Sequence, residues 1–386
     1  MIRNEAEHHA LLERVRTFVR QEAIPHEREV EERNEIPGHL VQRMRELGFF
    51  GWSIPEAYGG AGMTTEELAL ANLEISQCSV AFRARAGTNT GIGAEAIVVD
   101  GTDEQKSRYL QRLASGEWTG CLAVTEPEAG SDLLGGLSTV ARLEGDHYVL
   151  DGTKRYITNA PIADVFTVLA KTPHTGEGAK GTTAFIIERG TPGLATGEPH
   201  RKMGQAGSPV SEVYFESCRV PASSVLGGVA GKGFASVMKT LNKQRINLAA
   251  LCTGPAIRML DEALRHANTR RQGGRPIGEF ELVQAMLADC KVEIEAARAL
   301  VLETARKRDR GEDVTMDVSM CKYFASEMCG RVADRVVQIF GGAGYCGDIV
   351  DPIERFYRDV RLFRLYEGTS QIHQIHIAKQ LLKAAG

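Results

Sequence analysis

Four short runs in the middle of the chain decide the fold: STVARLEGDHYVLDG (138–152), DVFTVLAK (164–171), TTAFIIERG (182–190) and SEVYFESCRVP (211–221). They are rich in β-branched and aromatic residues, and Gly, Asp and Pro turns separate them. Runs of this kind at this spacing are typical of an antiparallel β domain. We place that domain between residues 119 and 226.

The sequence before this region is helical in pattern. Apolar residues recur on one helical face in the opening segment, and Pro25 is expected to end that helix. The segment TTEELALANLEISQC (64–78) predicts another helix, with Thr64 or Thr65 as its N-cap. Residues 1–118 are therefore expected to form an N-terminal α-helical domain.

Helical periodicity returns after the β region and continues to the end of the chain. It predicts long helices over about 233–272, 276–310 and 316–341, and a final helix near 369–384. We assign residues 227–386 to a C-terminal α-helical domain. The resulting order α, β, α is that of an α+β multidomain protein, and it argues against a doubly wound sheet, in which strands and helices alternate.

Composition narrows the classes of function. The chain has 386 residues, 46 basic and 50 acidic side chains and a net charge of −4, without the basic stripe that nucleic acid requires. No apolar run is long enough to span a membrane, and charges interrupt the opening segment, so we expect neither a membrane protein nor a secretory signal. The eight cysteines show no regular spacing, which favours a cytoplasmic protein without disulfides.

One motif points to a different fold. Residues 342–347 read GAGYCG, a literal GxGxxG, and an acidic residue, Glu367, lies twenty residues past its last glycine. However, the preceding residues have the periodicity of a helix, whereas a dinucleotide fingerprint follows a strand. We interpret the motif as a glycine-rich helix stop followed by a loop.

Four separated stretches together resemble the acyl-CoA dehydrogenase family over essentially the whole chain. They are CLAVTEPEAGSD (121–132), GTKRYITNA (152–160), NTRRQGGRPIGEFELVQAMLAD (268–289), and VQIFGGAGY with RFYRDVRLFRLYEGTSQIHQ (337–374). The resemblance implies a C-terminal four-helix bundle, an FAD cofactor and an acyl-CoA substrate. It further implies electron transfer to an electron-transferring flavoprotein and a homotetramer built as a dimer of dimers, with a role in fatty acid metabolism.

The resemblance also assigns residues to the flavin. Thr125, Ser131 and Thr158 are hydroxyl residues at predicted strand rims, where they could bind a polar ring edge or a pyrophosphate. By resemblance to the family, Thr125 and Thr158 lie against the isoalloxazine, and Ser131 belongs to the flavin-binding signature. Tyr156 stands where the family usually has an aromatic residue beside the flavin.

A second group would reach FAD held mainly by a neighbouring subunit. Arg270 resembles the arginine that contacts the pyrophosphate, a suitable task for a guanidinium. Gln338, Gly341 and Gly342 resemble the segment that meets the adenine half. The sequence departs from the family at Gly273 and Glu281, where phenylalanine and glutamine are common, and the loop between Cys346 and Ile353 is about two residues longer than usual.

Glu367 matches the catalytic base of most family members. A base for the α-proton of a thioester needs a carboxylate made more basic by desolvation, and the β-hydride would then pass to N5 of the flavin. Some relatives carry the base on an earlier helix, where this chain has the neutral Gln244. The resemblance assigns Arg245, Tyr366 and Gly368 to the substrate and places Thr369 and Gln371 beside the base, next to the cofactor.

Two other enzymatic functions stay open from the sequence. The same fold supports flavin oxidases and monooxygenases, and dehydrogenases that act on acyl-carrier proteins. A non-enzymatic flavin scaffold would predict a basic patch and a missing base, and the sequence shows neither. Glu367 favours dehydrogenation. His373 and His376 are spaced i, i+3 but lack companion ligands, so we expect no metal site. The acyl group itself cannot be read from the sequence.

Overall fold

The computed structural model describes residues 1–349 and 352–385 of the chain. Its first third is helical. The helices are α1 (Glu5–Phe18), α2 (Glu27–Arg33), α3 (Gly38–Glu46), α4 (Thr65–Ile75), α5 (Val80–Gly87), α6 (Glu95–Asp100) and α7 (Asp103–Ser115).

Two details of this region bear on the predicted helix ends. Thr64 is the N-cap of α4: its side chain accepts from the backbone N–H of Glu67, whose carboxylate accepts in return from the N–H of Thr64. The prediction that Pro25 ends the first helix was wrong. The chain passes through a π-helical turn (Val19–Ala23) and a 3₁₀ turn (Ile24–His26) into α2, and Pro25 is tolerated because it lies in the first turn of the 3₁₀ segment.

The middle of the chain forms one seven-stranded sheet. Its strands are β1 (Gly120–Ala123), β2 (Val140–Glu144), β3 (His147–Thr158), β4 (Val165–Lys171), β5 (Thr182–Glu188), β6 (Leu194–Thr196) and β7 (Val210–Pro221). The order is β1-β4-β2-β3-β7-β6, with β5 also paired to β4. The sheet is largely antiparallel, but β1 runs parallel to β4, which the sequence analysis did not foresee.

Strand β4 shows why the sheet lies at the centre of the molecule. Phe166 and Val168 belong to the core of the sheet itself. The alternate residue Val165 packs with α6 and α7, and Leu169 packs with Val237 of the following helix. Because both faces of β4 are covered, its sequence is a continuous apolar run rather than an alternating one.

The last third is helical again. It contains α8 (Gly233–Thr269), a small hairpin of β8 (Arg271–Gln272) and β9 (Arg275–Pro276), α9 (Glu281–Asp309), α10 (Asp317–Phe340), α11 (Gly342–Tyr345), α12 (Ile353–Val360) and α13 (Ser370–Ala385). The three long helices pack on one another, and α13 packs on α10. Helix α4 also packs on α8 and α9, which joins the first and last thirds of the chain.

The GAGYCG motif follows a helix, as predicted. Helix α10 ends at Phe340 and Gly341 has a φ of 61°, so the motif follows a helix stop and not a strand. The loop predicted after the stop was wrong for its first residues, because Gly342–Tyr345 form the short helix α11. The extra loop length that the resemblance predicts after Gly344 falls partly on residues 350 and 351, which lie outside the described residues. None of the helices in the described ranges is long and apolar enough to cross a membrane. The boundaries of the three assigned domains stay a prediction.

Candidate active site

Glu367 occupies an unusual backbone conformation between α12 and α13. Its φ is 52°, in the left-handed region that non-glycine residues seldom adopt, and the next residue, Gly368, has a φ of 94°. A Cβ on Gly368 would lie 2.9 Å from Nε2 of His373. The glycine is therefore needed both for its backbone angle and for the close approach of the imidazole.

Glu367 is half-buried, and one oxygen of its carboxyl group, Oε2, is buried without a hydrogen-bond partner among the described residues. Burial raises the pKa of this carboxyl above its ordinary value, and the charges of Arg83, Lys322 and Arg245 oppose that increase. A desolvated carboxylate in a field of cations is both more basic than usual and able to ionise, as a general base requires.

Three side chains hold the backbone around this carboxylate. Lys322 Nζ donates to the carbonyl oxygen of Gly368 at 2.5 Å, and Arg245 Nε donates to that of Glu367 at 3.4 Å. His373 Nε2 lies 3.2 Å from the same Glu367 oxygen. Contacts from α8, α10 and α13 thus converge on two successive peptide groups.

His373 is neutral in this position. Burial, together with the charges of Arg245 and Lys322, lowers the pKa of His373 to about 3. Because the carbonyl oxygen can only accept, Nε2 carries the proton, and the buried Nδ1 has no partner among the described residues. His376 pairs through Nδ1 with Ser319 Oγ at 2.9 Å. Within the described ranges no group of three or more His, Cys, Asp or Glu side chains could hold a metal.

Gln244 and Arg245 lie next to this site on α8. Gln244 is buried: its Oε1 accepts from Asn247 Nδ2 at 3.1 Å, and its Nε2 has no hydrogen-bond partner in the described part of the chain. Arg245 is buried as well, which rules out the alternative of a helix arginine paired at the surface, and its Nη1 donates to Asn242 at 2.8 Å. The position of an alternative base is thus filled by a neutral amide.

The structure adds Arg83 and Lys322 to the surroundings of Glu367, and sequence reasoning missed both. They lie on α5 and α10, far from the LYEGTSQ motif in the sequence. The sequence offered one sign of their role: each is a charged residue at a helix position where an apolar residue is expected. Tyr366 is the third polar group here: burial raises the pKa of its hydroxyl well above the usual range, and a hydrogen bond from the side chain of Gln205 is among the influences that lower it.

The two residues after Gly368 start the last helix. Thr369 Oγ1 accepts from the backbone N–H of Ile372 at 3.2 Å and so caps α13. Gln371 is exposed in its first turn.

Thr125, Tyr156 and Thr158 lie where the end of β1 meets the second half of β3. The carbonyl of Thr125 accepts from the N–H of Arg155 at 2.8 Å, which joins the end of β1 to β3. Tyr156 has a φ of 60° at an irregularity in the β3–β7 pairing, and its side chain is 63% exposed. Thr125 and Thr158 are half-buried, whereas Ser131 is exposed in the loop after β1.

A fully buried ion pair lies next to these three residues. Lys154 Nζ donates to Glu126 Oε1 at 2.7 Å and to the carbonyl of Val124 at 3.2 Å. Burial alone would raise the pKa of Glu126, but the charge of Lys154 and hydrogen bonds from Lys154, Ser138 and Thr139 lower it to about 2. The pair joins the segment 124–139, which contains Thr125, to β3 just before Tyr156.

Arg270, Gln338, Gly341 and Gly342 form a second exposed patch, on the C-terminal helices. His266, at the end of α8, stacks on Phe340, at the end of α10, with ring centroids 4.0 Å apart. This contact brings together the two helix ends that carry the patch. A Cβ on either glycine would meet nothing within 4 Å. Among the described residues, no hydrogen bond, ion pair or ring contact links this patch to Thr125, Tyr156 or Thr158.

Comparison with known proteins accounts for this arrangement. Family models described as the N-terminal, middle and C-terminal domains of acyl-CoA dehydrogenase match residues 5–117, 121–218 and 231–382. The chain belongs to the acyl-CoA dehydrogenase family. It is therefore an oxidoreductase of the acyl-CoA dehydrogenase fold, as the resemblance implied.

Three acyl-CoA dehydrogenase family relatives illustrate the similarity. The 3-(aryl)acrylate reductase of Clostridium sporogenes is 42% identical over 98% of this chain and 99% of its own. The caffeyl-CoA reductase-Etf complex subunit CarC of Acetobacterium woodii is 38% identical over 92% of each chain. The structure of butyryl-CoA dehydrogenase from Megasphaera elsdenii is 34% identical, covers 99% of this chain and 100% of its own, and has a TM-score of 0.93.

The acyl-CoA dehydrogenase family is FAD-dependent, and the residues of this chain fit that cofactor. The exposed Tyr156 ring, flanked by two half-buried hydroxyl residues, suits a planar ring system with polar edges. The open glycines and the exposed guanidinium of Arg270 suit a pyrophosphate and adenine.

Proposed function

We propose that the chain catalyses the α,β-dehydrogenation of an acyl-CoA thioester to the trans-2-enoyl-CoA, with Glu367 as the base. The observation that carries this proposal is the carboxylate of Glu367, whose Oε2 is buried without a hydrogen-bond partner among the described residues and whose pKa is raised, among three cations. Gln244 cannot replace it, because a neutral amide does not accept an α-proton.

The proton and the electrons follow separate routes. Glu367 removes the α-proton, and Arg83, Lys322 and Arg245 provide a positive potential that favours both the ionised base and the developing enolate. A bound FAD would supply the acceptor for the β-hydrogen and its two electrons. Arg245 and His373 hold the peptide that carries the base, so the carboxylate does not have to be ordered when substrate binds.

The roles of the remaining residues belong to the same proposal. Thr125, Ser131, Tyr156 and Thr158 bind the flavin ring and its attachment. Arg270, Gln338, Gly341 and Gly342 reach FAD held mainly by another subunit, and Thr369 and Gln371 lie beside the base. Tyr366 and Gly368 contact the substrate. The lack of contact between the two patches in one chain supports a site shared within a homotetramer.

The name of the relative CarC supports the proposed redox partner. That protein is a subunit of a caffeyl-CoA reductase-Etf complex, so we propose an electron-transferring flavoprotein as partner here. A cytoplasmic role in fatty acid metabolism is part of the proposal. An oxidase, or a dehydrogenase of carrier-protein thioesters, would place the same groups around the base.

A second candidate is the reverse reaction, the reduction of an enoyl thioester. The names of two relatives, both reductases, favour it. The residues are the same, with Glu367 protonated and returning the α-proton. Direction would follow from the reduction potential of the bound flavin and from the partner that supplies electrons.

Anaerobic reduction of the purified holoenzyme tests the proposal. Acyl-CoA thioesters of graded length and branching, mixed with the protein, should bleach the flavin absorbance, while oxygen consumption stays slow in a parallel aerobic assay. A protein that cannot be loaded with FAD, or whose flavin no thioester reduces, would contradict the proposed function. Rapid turnover with oxygen would favour the oxidase.

A further inference from the structure

Two neighbouring amide side chains on α8 each lack one hydrogen bond. Gln244 and Asn247 are both 1% exposed, and Asn247 Nδ2 donates to Gln244 Oε1 at 3.1 Å. Gln244 Nε2 and Asn247 Oδ1 are buried too, but neither has a hydrogen-bond partner among the described residues. These two residues, the amide pair, therefore present one unused donor and one unused acceptor. Rotating both amide groups by 180° would exchange the two roles and leave the same count.

The unused atoms of the amide pair belong to an apolar part of the molecule. Ile246, Leu248 and Leu251, close to the pair on α8, are members of the large apolar cluster of the C-terminal helices. Buried polar atoms are almost always paired, because leaving them without a hydrogen bond in such surroundings is costly. An orphaned donor and an orphaned acceptor on one helical turn therefore indicate a bound group that supplies both hydrogen bonds.

The side chain of Gln244 packs closely against the segment that follows α5. A Cβ on Gly91 would lie 2.5 Å from Gln244 Oε1, so the glycine leaves the room that the amide occupies. The same Cβ would lie 2.5 Å from the carbonyl oxygen of Gly87, where α5 ends. A Cβ on Gly87 would in turn be 2.6 Å from Nη1 of Arg83, whose charge acts on Glu367. Close contacts thus connect the amide pair to the surroundings of the proposed base.

The position of the amide pair along α8 relates it to the acyl chain. Arg245, the residue after Gln244, donates through Nε to the carbonyl oxygen of Glu367 at 3.4 Å. Asn247 lies almost one helical turn beyond Gln244, since a helix has about 3.6 residues per turn. An acyl chain whose α-carbon lies at Glu367 would therefore reach the amide pair with atoms beyond its β-carbon.

A hydroxyl group is the smallest group that satisfies both unused atoms. Its oxygen can accept a hydrogen bond from Gln244 Nε2 while its proton is donated to Asn247 Oδ1. A methyl group in the same place would leave both atoms without a partner. A carboxylate would set an acceptor oxygen against the acceptor of Asn247. The amide pair thus selects for a group that donates and accepts at once.

We propose that Gln244 and Asn247 bind a hydroxyl group on the acyl chain beyond the β-carbon, so that the preferred substrates are hydroxyacyl-CoA thioesters. This inference rests on the proposed function and names its substrate class. Gln244 and Asn247 would be specificity-determining residues, because neither takes the α-proton.

Substrate pairs in which a methyl group replaces the hydroxyl test this inference. Flavin reduction is measured with freshly prepared 4-hydroxybutyryl-, 5-hydroxyvaleryl- and 6-hydroxyhexanoyl-CoA against valeryl-, hexanoyl- and heptanoyl-CoA, respectively. A purely apolar pocket would favour the methyl group, because burying a hydroxyl without hydrogen bonds is unfavourable. We expect at least one hydroxyacyl thioester to exceed its methyl counterpart in kcat/KM by about 10-fold or more.

Substitutions in the amide pair should remove this preference. Gln244→Met and Asn247→Leu keep the approximate size of each side chain, and each should lower the hydroxyl-to-methyl ratio of kcat/KM about 10- to 100-fold. The double variant should prefer the methyl series, because the site is then apolar. Thr167→Val is the control: Thr167 Oγ1 is also buried and without a partner in the described part of the chain, but it lies on β4, so the ratio should not change.

Turnover separates the failure of this inference from the failure of the proposed function. A wild-type enzyme that prefers the methyl series throughout, or amide-pair variants that keep a hydroxyl preference, would overturn the inference while the dehydrogenase function stands. Flavin that neither series reduces would contradict the proposed function itself.

Binding gives a second readout that does not depend on turnover. In Glu367→Gln holoenzyme, calorimetry should show that the preferred hydroxyacyl thioester binds about 10-fold or more tightly than its methyl counterpart. Equal or weaker binding of the hydroxyacyl thioester would overturn the inference. If a substitution in the amide pair prevents folding, the substrate ratios measured with an intact amide pair still decide the question.

Discussion

The ammonium group of Lys322 donates to the carbonyl oxygen of Gly368 at 2.5 Å, which places a buried cation one residue from the proposed base. Burial lowers the pKa of Lys322, while the charge of Glu367 is among the influences that raise it. The same charge opposes the effect of burial on Glu367. The two residues are therefore coupled, and the pocket keeps its base ionisable without pairing it directly.

Replacing Lys322 should move the pH dependence of flavin reduction. In Lys322→Met the pKa of Glu367 rises further, because one of the cations that lowers it is gone. Since the base must be ionised, activity is lost as pH falls through that pKa, so the acid limb should shift to higher pH. Anaerobic stopped-flow reduction across pH measures the shift, with Lys322→Arg as the charged control. A limb that stays in place or moves to lower pH would remove Lys322 from this role.

Gly368→Ala should damage the site through its backbone. The substitution forces a side chain into a φ of 94° and within 2.9 Å of His373 Nε2. We expect a loss of about 1–2 kcal/mol in the free energy of unfolding, together with slower flavin reduction. Gly38→Ala is the matched control, since Gly38 starts α3 with open space around its Cβ position. Equal stability of the two variants in urea unfolding would count against the argument.

The buried ion pair of Lys154 and Glu126, next to the proposed flavin-binding residues, should be costly to break. Lys154 and Glu126 have fully buried side chains, so Glu126→Gln leaves an unpaired buried ammonium and should lower the free energy of unfolding by about 3–5 kcal/mol. The double variant Glu126→Gln with Lys154→Met should lose less than the two single losses combined. Lys291→Met breaks an exposed pair with Glu295 and should cost less than about 1 kcal/mol. Equal losses for the buried and exposed pairs, measured by urea unfolding, would contradict this.

Arg270→Ala should weaken FAD retention more than thioester binding. The residue is exposed in a single chain, and its proposed ligand is the pyrophosphate of FAD held by another subunit. The flavin-to-protein ratio after gel filtration measures retention, and Arg271→Ala tests the neighbouring arginine, which hydrogen-bonds to the carbonyl of Gly274 at 2.6 Å. Light scattering should show a tetramer. A monomer with full FAD content would end the shared-site proposal.

Local patterns in the sequence were enough for much of the fold. The helices ending at Thr269, Asp309 and Phe340 follow from apolar periodicity, and the capping of α4 by Thr64 follows from the T-x-x-E pattern. The parallel pairing of β1 with β4 could not be predicted in this way, because it joins residues more than forty positions apart with no local signal. Pro25 misled the prediction since proline is tolerated in the first turn of a helix.

The candidate site likewise contains residues that the sequence could identify and residues that only the tertiary structure places there. Glu367 and its flanking residues lie in one contiguous motif, so a family resemblance could identify them. Arg83 and Lys322 come from distant helices, and only the tertiary structure places their charges around the carboxylate. The position of Gln205 beside the Tyr366 hydroxyl likewise depends on the tertiary structure, which no sequence pattern records.

The central claim is that Glu367 is the base, and single-turnover flavin reduction in Glu367→Gln tests it most directly. The amide keeps the size of the side chain but cannot take a proton, so FAD and thioester should still bind while the reduction rate falls by about 10²- to 10⁴-fold. Adding Gln244→Glu to Glu367→Gln should restore part of the rate, since it returns a carboxylate to a neighbouring position. A Glu367→Gln protein that is reduced at a near-normal rate would contradict the account.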